Sequence, residues 1–155
     1  MGSPQPQKSS QQAQVVDLFY ARRAERDCDP WRVTVLVTEI PNKGRGVVAA
    51  RRIAQGELIE TAPVVPIALE QRAHVERTVL DHYVYDWQDG ALAVALGNGS
   101  LFNHCYTPNA HYTKRFDAAA IEYRALFDIE AGDEITINYN GAPDDLTPLW
   151  FDVVD

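Results

Sequence analysis

The chain has 155 residues, of which 46% are hydrophobic, and a mass of 17.3 kDa. These values fit one soluble globular domain and exclude two ordinary cores. No apolar stretch reaches the roughly 20 residues of a membrane-spanning helix, and the first residues lack the pattern of a secretory signal. Two cysteines, Cys28 and Cys105, are too few for a four-thiolate zinc site or a disulfide scaffold. We therefore expect a cytoplasmic protein without a membrane partner.

The negative charge is concentrated in one part of the chain. Lys and Arg number 14 against 22 Asp and Glu, which gives −8. Residues 1–32 carry five basic and four acidic side chains, so residues 33–155 carry nine and eighteen, or −9. Eight acids and no Lys or Arg lie from position 128 onward. A domain with this negative charge repels nucleic acid and attracts cationic partners. The alternative is a solvated acidic surface without a specific partner.

The N-terminal part differs in composition from the rest. Residues 1–14 (MGSPQPQKSSQQAQ) are rich in Gln, Ser and Pro, which predicts a disordered leader. Residues 15–30 predict a flanking segment with a short helix over 15–27, ended by the Asp29-Pro30 pair.

From residue 31 the pattern is typical of β-strands. Val33, Val35 and Val37 alternate with threonines, which predicts a strand with one buried face. Further short strands are predicted over residues 46–50, 57–61, 121–127 and 135–139, whereas residues 68–84 predict a helix. The predicted fold class is therefore mainly β with one small helical insertion.

Two turns share the pattern Ile-x-x-Gly-acid, and each precedes an apolar strand. They lie at residues 53–57 (IAQGE) and 129–133 (IEAGD). We expect Gly56 and Gly132 to adopt a positive φ there, within a meander of short strands.

Three further segments carry residues suited to chemistry. Residues 43–46 (KGRG) place two glycines where the backbone approaches a ligand closely, with an ordinary turn as the alternative. Residues 97–109 (GNGSLFNHCYTPN) are dense in turn-forming and polar residues, which predicts an irregular loop. Residues 132–141 (GDEITINYNG) predict the last strand, with Tyr139 near its end.

Residues 97–109, with the nearby His111, can also be interpreted as a different kind of active site. His104, Cys105 and His111 supply metal ligands or a nucleophile with a base, as in a small metal- or cysteine-dependent hydrolase. Neighbouring residues such as 104 and 105 seldom point at one ion, and no orienting carboxylate is evident, so the sequence favours this interpretation less.

The three segments, in this order, resemble those of the SET-domain protein-lysine methyltransferases. Residues 44–46 are similar to the family's GxG turn. Residues 103–109 (NHCYTPN) resemble its N-H-S-C-x-P-N loop, with Cys105 and Tyr106 in place of Ser and Cys. Residues 132–140 resemble its G-E-E-L-T-F-D-Y strand.

The extent of the resemblance defines the expected domains. It covers about residues 33–141, more weakly to 151, and segment 91–103 is similar to compact stand-alone bacterial and viral members. It implies a SET domain over residues 31–141, built of several short curved sheets with a knot-like C-terminal crossing. Residues 142–155 would be a short acidic C-terminal segment. The cysteine-rich zinc segments of larger members are absent, so no metal is expected.

The resemblance also implies an activity and its partners. The expected enzyme transfers a methyl group from S-adenosylmethionine to a lysine of a basic protein, histone-like or ribosomal, and leaves S-adenosylhomocysteine. A catalytically silent SET-like module that binds proteins is the alternative. Direct nucleic-acid binding is not expected, and a homodimer that completes the lysine channel stays open beside a monomer.

Site residues follow from the matching positions. The resemblance assigns Tyr139 to align the lysine amine. Ile137 stands where many members carry the Phe or Tyr that limits methylation, and Asn138 where Asp is usual. Tyr112 is the candidate for that limiting role, which predicts mono-methylation. The cofactor-binding residues are expected to be Lys43, Gly44, Arg45, Gly46, Tyr83, Asn103, His104, Tyr139, Trp150 and Phe151.

Two alternatives accompany these assignments. Core packing is the alternative role of the aromatic side chains of Tyr83, Trp150 and Phe151, and for Trp150 and Phe151 the sequence favours neither role. The acids after position 128 are expected near the mouth of the lysine channel, where they would favour lysines within basic sequences.

Overall fold

The computed structural model describes residues 33–153, so the predicted leader at 1–14 and helix at 15–27 lie outside the described residues. Short strands dominate this part of the chain, joined by one α-helix and several turns of 3₁₀ helix. The strands and the helix are β1 (Val35–Ile40), β2 (Gly44–Ala49), β3 (Leu58–Ile67), α1 (Leu69–Val75), β4 (Val84–Asp86), β5 (Leu92–Ala95), β6 (Asn103–His104), β7 (Ala110–Arg115), β8 (Ala120–Ala125) and β9 (Thr136–Ile137).

Three small sheets are formed by these strands. β1 and β2 make an antiparallel hairpin, and a five-stranded sheet has the order β4-β5-β3-β8-β7. β6 and β9 pair in parallel, with Asn103 opposite Thr136 and His104 opposite Ile137. Parallel neighbours need a long crossover, and here β7 and β8 lie between them in the chain. The predicted mainly β fold is confirmed.

The two similar turns are partners in the structure. Ile53 and Ile129 exchange backbone hydrogen bonds of 2.9 Å in both directions, and both side chains are buried. Gly56 and Gly132 have φ values of 78° and 95°, as predicted. The turns therefore join the region after β2 to the region before β9.

Some strand faces differ from the prediction. Val35 is buried, but Val33, which precedes β1, and Val37, which points to the same side of β1 as Val35, are each 44% exposed, so this side is only partly covered. Phe127 is exposed since β8 ends at Ala125. β9 is shorter than predicted, so Tyr139 follows the strand instead of lying within it.

The predicted helix over residues 68–84 is shorter and more exposed than expected. Its α-helical part is α1, and a 3₁₀ segment covers Val79–Tyr83. The hydroxyl of Thr78 donates to the carbonyl of Val75 at 2.8 Å and accepts from the amide of Leu80 at 3.2 Å, which separates the two parts. Neither part contains a buried residue. Within residues 33–153 no helix has the length and apolar character to cross a membrane.

Candidate active site

The GxG segment forms the end of the β1–β2 hairpin. The amide of Lys43 donates to the carbonyl of Ile40 at 3.1 Å and closes the turn. Gly44 has a φ of 76° with open space on its side-chain face. A Cβ on Gly46 would lie 2.5 Å from Ile40 Cγ1 and 2.7 Å from Asn103 Nδ2. Gly46 is therefore required for the close approach of β6 to β2.

Glu134 links this hairpin to β6. Its carboxylate accepts from Asn103 Nδ2 at 2.8 Å and pairs with Lys43 Nζ at 3.3 Å. The Asn109 side chain donates to the Glu134 carbonyl at 2.8 Å and accepts from the Thr136 amide at 2.9 Å. This linking role of Glu134 was not predicted from the sequence. The position of Glu134 in the GDE motif was the one feature of the sequence that could have indicated it.

Tyr139 is held at both ends. Its amide donates to Nδ1 of the buried His104 at 3.1 Å, and its hydroxyl donates to the carbonyl of Phe102 at 2.9 Å. Burial, the negative charge of Glu134 and the neighbouring Tyr83 raise the pKa of Tyr139 to about 12. The phenol is therefore neutral at physiological pH.

Three cavities meet at Tyr139, with volumes of about 530, 290 and 190 Å³. The two smaller cavities also share Lys43, Asn103 and Phe151. Nine of the ten predicted cofactor residues line one or both of them, and Gly46 alone does not. These nine are Lys43, Gly44, Arg45, Tyr83, Asn103, His104, Tyr139, Trp150 and Phe151.

The aromatic residues at the chain end are not core residues. Trp150 is 69% and Phe151 39% exposed, so the core-packing alternative is wrong for both. The Phe151 ring lies edge-on to His104 and Tyr139, with centroids 6.4 and 6.3 Å apart. Tyr83 is half-buried, and its hydroxyl accepts from Arg45 at 3.4 Å.

The largest cavity lies between the insertion, β7 and the residues after Tyr139. Tyr112 lines it, is nearly buried, and its hydroxyl donates to the Tyr139 carbonyl at 3.4 Å. Ile137 is fully buried and does not reach this cavity. Phe102, whose carbonyl receives the Tyr139 hydroxyl, also lines it; the sequence alone offered no signal for that role.

The charged groups around this cavity differ from the prediction. None of the described acids from position 128 onward lines it; its carboxylates are Asp81 and Asp86, from the insertion and β4. Lys114 of β7 also lines it, and burial lowers the pKa of Lys114. The carboxylates that line this cavity therefore come from a different part of the chain than the C-terminal acids.

The His104–Cys105–His111 segment does not resemble a metal centre. Over residues 33–153, no group of three or more His, Cys, Asp and Glu side chains is placed to hold an ion. The thiol of Cys105 lies 3.4 Å from the hydroxyl of Thr107.

Comparison with known proteins agrees with this geometry. A sequence model of the SET domain matches residues 44–140. The H3 lysine-37 specific histone-lysine N-methyltransferase of Schizosaccharomyces pombe is 35% identical over 117 residues, which span 75% of this chain and 76% of that relative. A candidate histone methyltransferase of Plasmodium falciparum, known from its crystal structure, is 28% identical with a TM-score of 0.56; the match covers 70% of this chain and 94% of that one.

The chain therefore belongs to the SET-domain family. Its activity is that of a protein-lysine methyltransferase, and this family takes its methyl groups from S-adenosylmethionine. The resemblance found in the sequence is confirmed, and the hydrolase interpretation is wrong.

Proposed function

We propose that the chain binds S-adenosylmethionine in the two smaller cavities and methylates a lysine that enters through the largest one. The observation that carries this proposal is the position of Tyr139, the one aromatic side chain that lines all three cavities. A methyl transfer requires donor and acceptor to meet in line at one point. The arrangement supports the catalytic role predicted for Tyr139.

The residues of the smaller cavities suit the proposed donor. Gly44 leaves open space beside the backbone, and Arg45 offers a cation that complements a carboxylate, whereas Lys43 is already paired with Glu134. Tyr83, Trp150 and Phe151 offer aromatic faces to an adenine ring or a sulfonium. When bound, the donor supplies a methyl group on a positively charged sulfur. The protein residues would fix its orientation and exclude water.

Tyr139 would act as a neutral hydrogen-bond partner and not as a base. With a pKa raised to about 12, almost none of the phenol is ionised at neutral pH. Its proton is directed to the Phe102 carbonyl, so the oxygen lone pairs are available to accept a hydrogen bond from the amine. The lysine ammonium must lose its proton to solvent first, which burial next to a positive charge favours.

Asp81 and Asp86 support a basic protein as the substrate, histones included. Two carboxylates and one ammonium group, that of Lys114, line the largest cavity, and Asp86 is also paired with Arg72 at 3.0 Å. The side chains of Tyr112, Phe102 and Tyr139 provide the aromatic walls that suit a lysine chain. The positively charged residues around a target lysine would therefore be attracted to the insertion side of the cavity.

Tyr112 supports mono-methylation as the outcome. Its hydroxyl lies near the Tyr139 carbonyl and borders the same cavity. A polar oxygen at this point would hold a water and leave less room for an amine that already carries a methyl group.

The direct test is incubation of the wild-type chain with radiolabelled S-adenosylmethionine and a panel of basic proteins, alongside calorimetry with the donor alone. Transfer of label to lysine is expected, with donor binding. A chain that binds the donor and a basic protein without transfer would instead be the silent module. A chain that does not bind the donor would contradict the proposal. Phe127→Ala, at an exposed site that lines none of the three cavities, is the matched control.

A further inference from the structure

Residues that depart from the family pattern contact the C-terminal segment. The Tyr106 hydroxyl donates to the carbonyl of Thr147 at 3.3 Å and accepts from the amide of Leu149 at 3.2 Å. The Asn138 side chain donates to the carbonyl of Asp145 at 2.7 Å. Asn140 adds a 2.7 Å bond from its side chain to the Thr147 carbonyl. Tyr106 and Asn138 thus hold one short stretch of backbone.

We propose that Tyr106, Asn138 and Asn140 form a C-terminal clasp that positions Trp150 and Phe151 for donor binding. The inference rests on the proposed function and extends it to residues that do not line the donor cavities. They are positioning residues, because they act on the donor only through the segment that they hold.

The segment needs such a clasp because little else holds it. Residues 141–153 contain neither a helix nor a strand, and Trp150 and Phe151 remain exposed. The Phe151 ring packs edge-on against His104 and Tyr139, but Trp150 is 69% exposed, so apolar burial alone does not fix the pair of rings. The last bond of the clasp, from the Leu149 amide, comes immediately before them. Ordering the segment before the donor arrives lowers the entropic cost of binding.

The chemistry of the clasp requires an amide at position 138. Asn138 Oδ1 accepts from the amide of Asn140 at 3.0 Å, which directs its Nδ2 toward the carbonyl of Asp145. An ionised aspartate, the usual family residue here, has no donor for that carbonyl. Asn138 is also 2% exposed, so a charge at this position would be buried.

The clasp is attached to the catalytic centre through His104. The Tyr106 ring lies edge-on to His104, with centroids 4.5 Å apart. His104 in turn accepts from the amide of Tyr139. Removal of the Tyr106 hydroxyl leaves this ring contact in place, so Tyr106→Phe separates the clasp from the packing of the centre.

The test is calorimetric titration of wild-type, Tyr106→Phe and Leu146→Ala proteins with S-adenosylmethionine, with kcat at saturating donor and amide hydrogen exchange over residues 141–151. Leu146 is an exposed residue of the same segment and is the control. For Tyr106→Phe, we expect a Kd raised about fivefold to tenfold, which corresponds to one or two lost hydrogen bonds. We also expect faster exchange, and kcat within about twofold of wild type because the phenyl ring keeps the packing around His104.

The outcomes separate the two proposals. A Tyr106→Phe protein with unchanged Kd and unchanged exchange, beside a wild type that binds the donor, would overturn the clasp alone. A fall in kcat equal to the rise in Kd would also overturn it, because the residue would then support the whole centre. A wild type that fails to bind the donor would overturn the proposed function. Asn138→Asp provides a second variant, expected to raise Kd more than Tyr106→Phe does.

Discussion

The residues beside the β6–β9 pair, Phe102 and Tyr139, border the same large cavity as the insertion with β4 (residues 68–91). The two regions are built differently. Near the pair, His104, Ile137 and Asn138 are buried, and side chains fix the backbone from several directions. In the insertion, α1 and the 3₁₀ segment have no buried residue. Rigid surroundings suit the alignment of reacting atoms, and an exposed surface element suits the selection of a substrate. Under the proposed function, the first region would carry the chemistry and the second region would select the substrate.

The largest effect is expected from Tyr139→Phe. The variant keeps the ring but loses the hydroxyl that is proposed to align the lysine amine, so kcat should fall by about 100-fold, the size expected when a reacting group is misplaced. Thermal stability should change little, and donor binding should persist. Methyl transfer at saturating donor measures the effect. A loss smaller than about threefold would mean that the hydroxyl does not align the amine.

The raised pKa of Tyr139 also predicts how the free energy of unfolding changes with pH. Its pKa in the folded protein, about 12, lies above the ordinary value of 10.0 for a tyrosine. This difference stabilises the fold below pH 10, and the contribution is lost as pH rises toward 12. Unfolding in denaturant at pH 9 and pH 11.5 should show a smaller loss of stability in Tyr139→Phe than in wild type. Equal losses in the two proteins would contradict the raised pKa.

The rigidity of the β6 region is tested by Gly46→Ala. The added methyl group would meet Ile40, Asn103 and Glu134 at 2.5 to 3.0 Å, so we expect a loss of about 2 kcal/mol in the free energy of unfolding. Gly44→Ala is the control, since space is open there and only its positive φ is strained; about 1 kcal/mol is expected. Denaturant unfolding measures both variants. A smaller loss for Gly46→Ala than for Gly44→Ala would refute the close approach.

The role given to the insertion is tested by Asp81→Asn combined with Asp86→Asn. The KM for a basic peptide should rise by about fivefold, a size typical of partly exposed charges, and kcat should hold. The effect should shrink at high salt. Asp117→Asn, an exposed carboxylate outside the cavity, is the control. If kcat falls and KM is unchanged, the carboxylates belong to the chemical step.

The smallest change in rate is expected from Tyr112→Phe. Loss of its hydroxyl should shift the product from mono- toward di- and trimethyl-lysine, with a total rate within about twofold of wild type. Mass spectrometry of a methylated peptide gives the distribution. Trimethyl-lysine as the main product of the wild-type chain would remove the basis for this role.

The sequence predicted the catalytic region better than the insertion. The GxG turn and the residues around 103 and 139 carry local patterns, and the structure brings these residues together at Tyr139. The positions of Asp81 and Asp86 depend on how the insertion folds back onto β5 and β7, which no local pattern specifies. Thr78 illustrates the limit, since one hydroxyl ends the helix that apolar spacing predicted to continue.

The acids after position 128 show the same limit from the other side. The sequence shows how many acids lie there, but it does not show which residues each carboxylate contacts. Glu134 organises Lys43 and Asn103, whereas Asp128 and Glu130 pair with Arg52. Counting charges along the chain does not reveal which face of the fold they occupy, because adjacent turns direct side chains to different partners.

The most direct measurement of the central claim is a crystal structure of the chain with S-adenosylhomocysteine and a lysine peptide. The account predicts the sulfur in the cavities bordered by Lys43 and Phe151, the lysine chain in the cavity bordered by Tyr112, and the Tyr139 hydroxyl beside the amine between them. Both ligands in one cavity, or a Tyr139 ring turned into solvent, would contradict it.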